Sequence, residues 1–140
     1  MRLVTSIVKG AEMRANREDL TDPVLGGVSA QWGAMEVSFR AFAAGFDARP
    51  LVQGLPDDLC PCPHWGYVLK GKMDLGIPGT TVIVAAGDAF YMPPGHVPVF
   101  LEDTEFFEVS PTDEMAVVQE VVQRNLAALA DNRVSRVDGE

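Results

Sequence analysis

The residues best suited to chemistry in this chain are two cysteines and two histidines, and the sequence contains no others of either type. All four lie in the middle of the 140-residue chain: Cys60, Cys62, His64 and His96. Thiolate and imidazole groups are ligands for transition metals, zinc above all. Each residue also has a simpler role, because a free cysteine packs as a small apolar residue and a histidine near a turn forms hydrogen bonds. The residue types alone leave both interpretations open.

The spacing of the first three residues follows the period of an extended strand. Side chains on a strand alternate between its two faces, so Cys60, Cys62 and His64 share one face if the segment is extended. Pro61 and Pro63 favour an extended and stiff backbone. The pattern therefore predicts that the three side chains meet on one surface.

The chain has the size and composition of one globular domain. Its 140 residues suffice for a full hydrophobic core, and 47% hydrophobic with 22% charged residues is an ordinary globular balance. Glycine and proline, at 13 and 10 residues, exceed their usual combined share. This excess indicates many turns, and therefore short strands rather than a helical bundle.

The charge of the chain argues against two classes of partner. Lysine and arginine number 11 against 20 aspartates and glutamates, which gives a net charge of −9. A nucleic-acid-binding protein needs a basic surface to displace counterions from phosphates, and an anionic membrane surface attracts basic clusters. We therefore expect neither nucleic acid nor membrane among the partners.

The hydropathy pattern predicts a cytoplasmic protein. No apolar stretch approaches the roughly 20 residues that span a bilayer. The N-terminal apolar segment is shorter than that of a signal peptide. In the cytoplasm thiols stay reduced, and a bridge between Cys60 and Cys62 would be strained and close almost no loop. We expect no disulfide.

Residues 31–110 carry the pattern of a β-rich domain. Met35 and Phe39 belong to a segment that alternates apolar and polar residues at the period of a half-buried strand. Further short strand-like segments follow at near-regular spacing, separated by turns that contain glycine and proline. This spacing predicts an antiparallel sandwich or barrel, whose interior Phe39, Phe90 and Phe100 would line.

The C-terminal region predicts a helix over residues 111–131. Thr112 is suited to cap its N-terminus, and acidic residues follow in the first turn. Apolar residues then recur at spacings of three and four and form one stripe: Met115, Val118, Val122, Leu126 and Leu129. With residues 1–30 as a lead-in segment, the sequence predicts one domain over residues 1–140.

Two groups of residues in this β-rich region carry a family resemblance. The first ends a predicted strand: Tyr67, Val68, Leu69 and Gly71. The second lies in the segment GDAFYMPPGH: Gly87, Pro93, Gly95 and His96. In type and spacing they resemble the two motifs of the cupin superfamily. The resemblance implies an all-β fold, the cupin double-stranded β-helix or jelly-roll barrel, followed by the C-terminal helix.

The resemblance also implies a metal site inside the barrel, between the two motifs, although the usual ligands are replaced. Family members supply His-x-His and then a Glu seven residues before the closing glycine of the first motif. Counting back places His64 at the Glu position, Cys60 at the second His position and Asp58 at the first. The histidine of the second motif falls at Pro98, and His96 lies two residues earlier.

A shift of two residues keeps His96 on the same face as position 98, so its side chain is expected to enter the same barrel. We therefore predict a divalent metal bound by Cys60, Cys62, His64 and His96. Two thiolates and two imidazoles suit tetrahedral zinc, with iron or copper as alternatives. If all four bind, the site is closed and structural. If three bind, a water or substrate takes the fourth position.

Two functions remain open at this stage. The first is a metal-dependent enzyme that acts on a small organic acid held in the barrel. The second is a non-catalytic small-molecule-binding or sensor protein with a structural metal or none. The family resemblance does not choose between them, because one fold hosts many chemistries.

Two further side-chain placements follow from the strand pattern. Trp65, Tyr67 and Leu69 fall on the face opposite His64 and are expected to cover the outside of the sheet. Such an apolar strip needs a partner, either the C-terminal helix or a second subunit. Members of the resembled family commonly dimerise through their sheets, so we expect a homodimer. Glu108 is expected to face solvent, because a buried carboxylate is costly, with an acid in the pocket as the alternative.

Overall fold

Strands are the most abundant secondary structure in the part of the chain that the structure describes. The computed structural model describes residues 4–7, 13–19 and 25–138. The strands there are β1 (Val4–Ile7), β2 (Leu25–Trp32), β3 (Met35–Phe42), β4 (His64–Lys70), β5 (Lys72–Ile77), β6 (Thr80–Ala85), β7 (Ala89–Met92), β8 (Val97–Phe100) and β9 (Thr104–Pro111). One long helix, α1, covers Thr112–Asp138. Short 3-10 turns lie at Arg17–Asp19, Arg49–Leu51 and Pro56–Asp58.

The strands form two sheets with the apolar core between them. One sheet has the order β1-β2-β3-β9-β4-β7, and the other has the order β6-β5-β8. Only the pairing of β1 with β2 is parallel among the described strands. Core residues come from both sheets: Phe42, Val68, Phe90 and Phe106 from the first, and Met73, Leu75, Val84 and Phe100 from the second. The predicted all-β, two-layered architecture is confirmed.

Stacked aromatic rings fill the centre of the core. Phe42 and Phe100 stack with ring centroids 4.5 Å apart, and Phe106 lies 6.0 Å from each of them. Phe90 meets Phe106 edge to face at 5.9 Å. Because Phe42 and Phe100 belong to different sheets, their contact joins the two layers. Phe90 and Phe100 thus lie in the interior, as the sequence predicts.

Strand β3 turns its polar face toward the interior. Phe39 does not line the barrel; it is half-buried and packs against Phe107 on the other face, with ring centroids 5.4 Å apart. Instead, Glu36, Ser38 and Arg40 are buried. A period-two pattern identifies the strand but does not say which face meets the interior. Here Ser38 and Arg40 form buried hydrogen bonds with Ser29 and Glu108, and these bonds allow the polar face of β3 to lie inside.

The sheet and the helix both extend beyond their predicted limits. Strands β1 and β2 begin within residues 1–30, and the helix continues past residue 131 to Asp138. Thr112 does not cap the helix with its side chain, because its Oγ1 is buried without a hydrogen-bond partner. Its N–H donates instead to the Ala34 carbonyl at 3.0 Å, which ties the start of the helix to the turn after β2.

Helix α1 packs on the barrel through the predicted apolar stripe. Met115, Val118 and Leu126 are buried, whereas Leu129 is exposed. The Asn125 amide adds two hydrogen bonds, to the carbonyl oxygens of Leu51 at 2.8 Å and Gln53 at 2.9 Å. In the described residues, no helix is both long enough and apolar enough to cross a membrane.

The outer face of β4 carries exposed aromatic side chains. Trp65 and Tyr67 are exposed, as the alternation predicts, while Leu69 is half-buried. Trp65 stacks on the exposed Tyr91 of the adjacent strand β7, with ring centroids 5.5 Å apart. The homodimer expected through this face stays a prediction.

Replacing Phe100 by alanine tests the aromatic stack as the link between the sheets. Phe100→Ala is expected to lower the free energy of unfolding by about 3–5 kcal/mol, because it leaves a cavity at the centre of the core. Leu101→Ala is the control, since Leu101 is 46% exposed and Phe100 only 1%. The control is expected to change stability by about 0.5 kcal/mol or less in denaturant unfolding. Equal losses for the two variants would contradict this account of the core.

Candidate metal centre

Three of the four predicted donors meet inside the barrel. The ligand atoms of Cys60, His64 and His96 all lie within 4.8 Å of one another, and Cys60 Sγ is 3.7 Å from His64 Nε2. All three side chains are buried. Metal–sulfur and metal–nitrogen bonds are about 2.0–2.3 Å long, so donors up to 4.8 Å apart would need to draw slightly closer to share one ion.

Backbone hydrogen bonds bring these donors together. The Cys60 N–H donates to the His96 carbonyl at 2.9 Å, and the N–H groups of Gly95 and His96 donate to the Cys60 carbonyl at 2.8 and 3.3 Å. This bridge fixes the segment before β4 against the turn before β8. His64 opens β4, four residues after Cys60, and pairs with Met92 of β7. Main-chain pairing therefore sets the positions of all three donors.

Each imidazole is held by its Nδ1 atom. His96 Nδ1 lies 2.7 Å from the Pro93 carbonyl oxygen, which only accepts, so Nδ1 carries the proton and Nε2 keeps its lone pair. His64 Nδ1 lies 2.6 Å from Ser110 Oγ, and its Nε2 faces the Cys60 sulfur. Ligating histidines in metal sites use this arrangement, in which a partner at one nitrogen orients the other toward the metal.

Burial sets the protonation of the donors. It lowers the pKa of His96 to about 4 and also lowers the pKa of His64, although Glu108 opposes the latter shift. Both imidazoles are therefore neutral near pH 7, as metal ligation requires. Burial raises the pKa of the Cys60 thiol to about 12. A bound metal stabilises the thiolate and displaces that proton.

Cys62 does not join the three donors. Its Sγ lies 3.5 Å from the Pro63 carbonyl oxygen, and its side chain packs in an apolar cluster with Met115 and Val118 of the helix. The prediction of a shared face assumed an extended segment, but the chain bends at Cys62. The bend breaks the period-two relation, so Cys60 and His64 meet while the residue between them turns toward the helix.

Asp58, the third residue placed by the family pattern, also lies apart. It is exposed, and its Oδ1 accepts a hydrogen bond from the Gly54 N–H at 2.9 Å. Among the described residues, the group able to hold a metal ion consists of Cys60, His64 and His96.

A buried charged network adjoins the donors. Arg40 Nε donates to Glu108 Oε1 at 3.0 Å, and Glu108 Oε2 lies 4.0 Å from His64 Nδ1. Arg40 Nη2 lies 3.9 Å from Glu36 Oε2, which accepts a hydrogen bond from Gln119 of the helix at 3.2 Å. The expectation that Glu108 faces solvent is wrong, because its side chain is only 3% exposed. Arg40 is a charge partner that offsets the free-energy cost of burying the carboxylate.

The Glu108 carboxyl is ionised in this network. Burial alone would raise its pKa, but the charge of Arg40 and the hydrogen bond from Arg40 outweigh burial and lower it. Sequence reasoning missed Arg40 and Ser110 as neighbours of the site and gave a pocket role for Glu108 only as the alternative. The signal for two of them was the alternation along β9, which places Glu108 and Ser110 on the same face as the core residue Phe106.

A cavity of about 110 Å³ opens beside the three donors. Its polar wall contains Cys60, His64, His96, Arg40 and Glu108. Aromatic and aliphatic side chains form most of the remainder, among them Phe42, Phe100, Phe106, Met92 and Leu51. Helix α1 closes one side through Met115, Val118, Gln119 and Val122. The donors thus face a small, mostly apolar space rather than bulk water.

Comparisons with known proteins support the fold. No protein-family model matches the sequence, and no curated protein matches it. Solved structures do match. An RmlC-like cupin from Shewanella frigidimarina is 15% identical, with 72% of this chain and 91% of that chain covered and a TM-score of 0.52. A Cupin 2 conserved barrel domain protein from Salinispora arenicola is 22% identical, with 83% and 99% covered and a TM-score of 0.50.

A third match has no assigned function. It is the conserved SPY1581 protein of unknown function from Streptococcus pyogenes, which is 18% identical, with 79% and 95% covered and a TM-score of 0.52. The similarities define a class of fold: the chain has the cupin fold, as its two motifs predict.

Removing Arg40 tests the buried charged network. Arg40→Met is expected to lower the free energy of unfolding by about 3–5 kcal/mol, because it leaves Glu108 and Glu36 buried without their cation. The control is Arg49→Met, which removes an ion pair to Asp47 at the surface and should change stability far less. Denaturant unfolding measures both.

A neutralised network provides the second arm of this test. Replacing Glu36, Arg40 and Glu108 together by Gln, Met and Gln removes every charge at once and should recover most of the lost stability. If Arg40→Met is as stable as wild type, or if the triple variant is no more stable than Arg40→Met, the uncompensated carboxylates are not the cause.

Proposed function

We propose that this chain binds one divalent metal ion through Cys60, His64 and His96 and holds a small organic molecule in the adjoining cavity. The observation that carries the proposal is the convergence of three buried donors within 4.8 Å. One thiolate with two imidazoles suits zinc, with iron or copper as alternatives. Three protein ligands leave a coordination position for water or a ligand, which is the pattern of open metal sites.

The surrounding residues serve this site in distinct ways. When bound, the metal would act as a Lewis acid toward a ligand oxygen. The Pro93 carbonyl and the Ser110 hydroxyl orient the two imidazoles, since each contacts an Nδ1 atom. Phe42 and Phe100 line the cavity and make part of its wall apolar. The same arrangement suits a metal-dependent enzyme and a non-catalytic binding protein. Chemical conversion of the bound molecule would indicate the enzyme, and binding without conversion would indicate the binding protein.

The two cysteines provide a matched pair of variants. Cys60→Ser should lose most of the bound metal, because it removes the sulfur donor, whereas Cys62→Ser should keep it, because that thiol faces the helix. Metal content is measured by elemental analysis of protein purified without an affinity tag. Thermal unfolding of the metal-free proteins serves as the folding control, since both thiols are buried.

The outcome distinguishes the open site from the four-ligand site. If Cys62→Ser loses metal as completely as Cys60→Ser, both thiols ligate and the site is closed. If wild-type protein takes up no transition metal even after incubation with zinc, iron or copper salts, the proposed function is wrong.

Ser110 offers a test that leaves every ligand in place. Ser110→Ala removes the hydroxyl 2.6 Å from His64 Nδ1 and is expected to weaken metal binding by about 10- to 100-fold, as loss of such orienting partners does. Ser29→Ala is the control, because Ser29 is equally buried but bonds to Ser38 at 2.9 Å. Competition with a chromogenic chelator measures both affinities. Unchanged affinity in Ser110→Ala would show that His64 is oriented by other contacts.

A further inference from the structure

The opening of the cavity to solvent lies beside helix α1. Among the described residues that line the cavity, Gln123 of the helix is the exposed one. Gln119 and Val122 of the same helix are half-buried, as is Pro98 of β8. The other described lining residues, the three donors included, are buried. A molecule that enters from solvent therefore passes between α1 and the barrel.

The opening is nearly closed in this structure. Cys60, His64 and His96 are only 5%, 4% and 2% exposed. A metal ion or an organic molecule therefore reaches the donors only when part of the cavity wall moves. The strands of that wall are held in the sheets by main-chain pairing, so moving one of them breaks a series of hydrogen bonds.

Helix α1 is attached to the barrel in a different way. Among the described residues, its main-chain hydrogen bond to the rest of the chain lies at its first residue, where the Thr112 N–H donates to the Ala34 carbonyl at 3.0 Å. Beyond that residue, side chains join the helix to the barrel. Rotation of α1 about its start would open the cavity without breaking a described strand pairing. Local openings of this kind need less free energy than global unfolding.

Asn125 fastens the helix to the barrel far from its start. Its Nδ2 donates to the carbonyl oxygens of Leu51 at 2.8 Å and Gln53 at 2.9 Å. At about 1.5 Å per residue, this contact lies about 20 Å along the helix, beyond the hydrogen bond from Gln119 to Glu36. A bond at that distance from the start restrains rotation more than one nearer to it. Leu51 also lines the cavity, so the two bonds join α1 to another part of the cavity wall.

We propose that α1 is a lid over the cavity and that the two hydrogen bonds of Asn125 keep this lid closed. The lid opens by rotation about the start of the helix. The metal ion and the small ligand enter and leave through the space between α1 and the barrel. The identity of what passes rests on the proposed function, whereas the movement of the helix rests on the contacts of α1 alone.

Labelling of Cys60 with iodoacetamide measures the opening of the lid in metal-free protein. Tandem mass spectrometry distinguishes Cys60, which lines the cavity, from Cys62, which does not. Asn125→Asp is expected to raise the rate of Cys60 labelling at least about tenfold, because a carboxylate cannot donate to the two carbonyl groups and the loss of two hydrogen bonds shifts an equilibrium by about that factor. Asn125→Ala removes the same bonds without adding a charge and should raise the rate in the same direction.

Arg124→Gln is the control for these variants. Arg124 adjoins Asn125 in the helix but pairs with Glu120 at the surface, where the two side chains are 70% and 75% exposed. Its labelling rate should match that of wild type, since surface changes of this kind have little effect on stability. Labelling through the lid should depend weakly on dilute denaturant, whereas labelling through global unfolding accelerates steeply because more surface is exposed. An unchanged rate in both Asn125 variants, or a steep dependence on denaturant, would overturn the proposal.

Zinc exchange tests the lid in the metal-loaded protein. In Asn125→Asp, the rate of zinc uptake and the rate of zinc release to excess chelator are both expected to rise at least about tenfold. The affinity for zinc should stay unchanged, because the variant alters the route to the donors and not the donors themselves. An unchanged uptake rate together with a lower affinity would show that Asn125 acts on the site, and it would overturn the proposal. If wild-type protein takes up no metal, the proposed function fails, and the labelling of Cys60 still decides whether α1 is a lid.

Discussion

The backbone bridge between Cys60 and His96 is the contact on which the candidate site depends. Cys60 precedes a strand of the six-stranded sheet, and His96 precedes β8 of the three-stranded sheet, so their reciprocal hydrogen bonds join the two sheets. The bridge fixes the main chain at two of the three donors. His64 follows at the first position of β4 and is held by its pairing with β7. The geometry of the donors is therefore a product of main-chain pairing.

The polar wall of the cavity follows from the register of two neighbouring strands. In the pairing of β3 with β9, Ser38 lies opposite Glu108 and Arg40 lies opposite Phe106. Arg40 and Glu108 are thus diagonal neighbours on one face, within reach of each other's long side chains. Ser110 continues that face to His64. Charge is concentrated at the donors, while the aromatic stack occupies the rest of the interior.

The sequence predicts the fold, and its four proposed donors include the three that converge, because the glycines and the spacing of the two motifs are local signals. Gly71, the last residue of the first motif, separates β4 from β5 with φ at +89°, and a Cβ there would collide with Thr104. Glycine is required at such a position. The charged wall could not be predicted, because alternation gives two faces without saying which is buried. Glu108 is tolerated inside only because of Arg40, which lies on a neighbouring strand that is far away in the sequence. The bend that turns Cys62 away could not be predicted either, because the alternation of side chains was applied to a segment assumed to be extended.

Stability does not explain why charge is buried in this barrel. Desolvating a carboxylate and a guanidinium costs several kcal/mol per ion, and apolar residues of similar shape often give an equally stable or more stable fold. Such residues occur at the adjacent positions of the same faces, where Phe42 and Phe106 belong to the aromatic core. The charged pair interrupts that core at one place, where Glu108 lies 4.0 Å from His64. The charged pair therefore lies beside the three candidate donors and the cavity, at a position that the packing of the fold does not require.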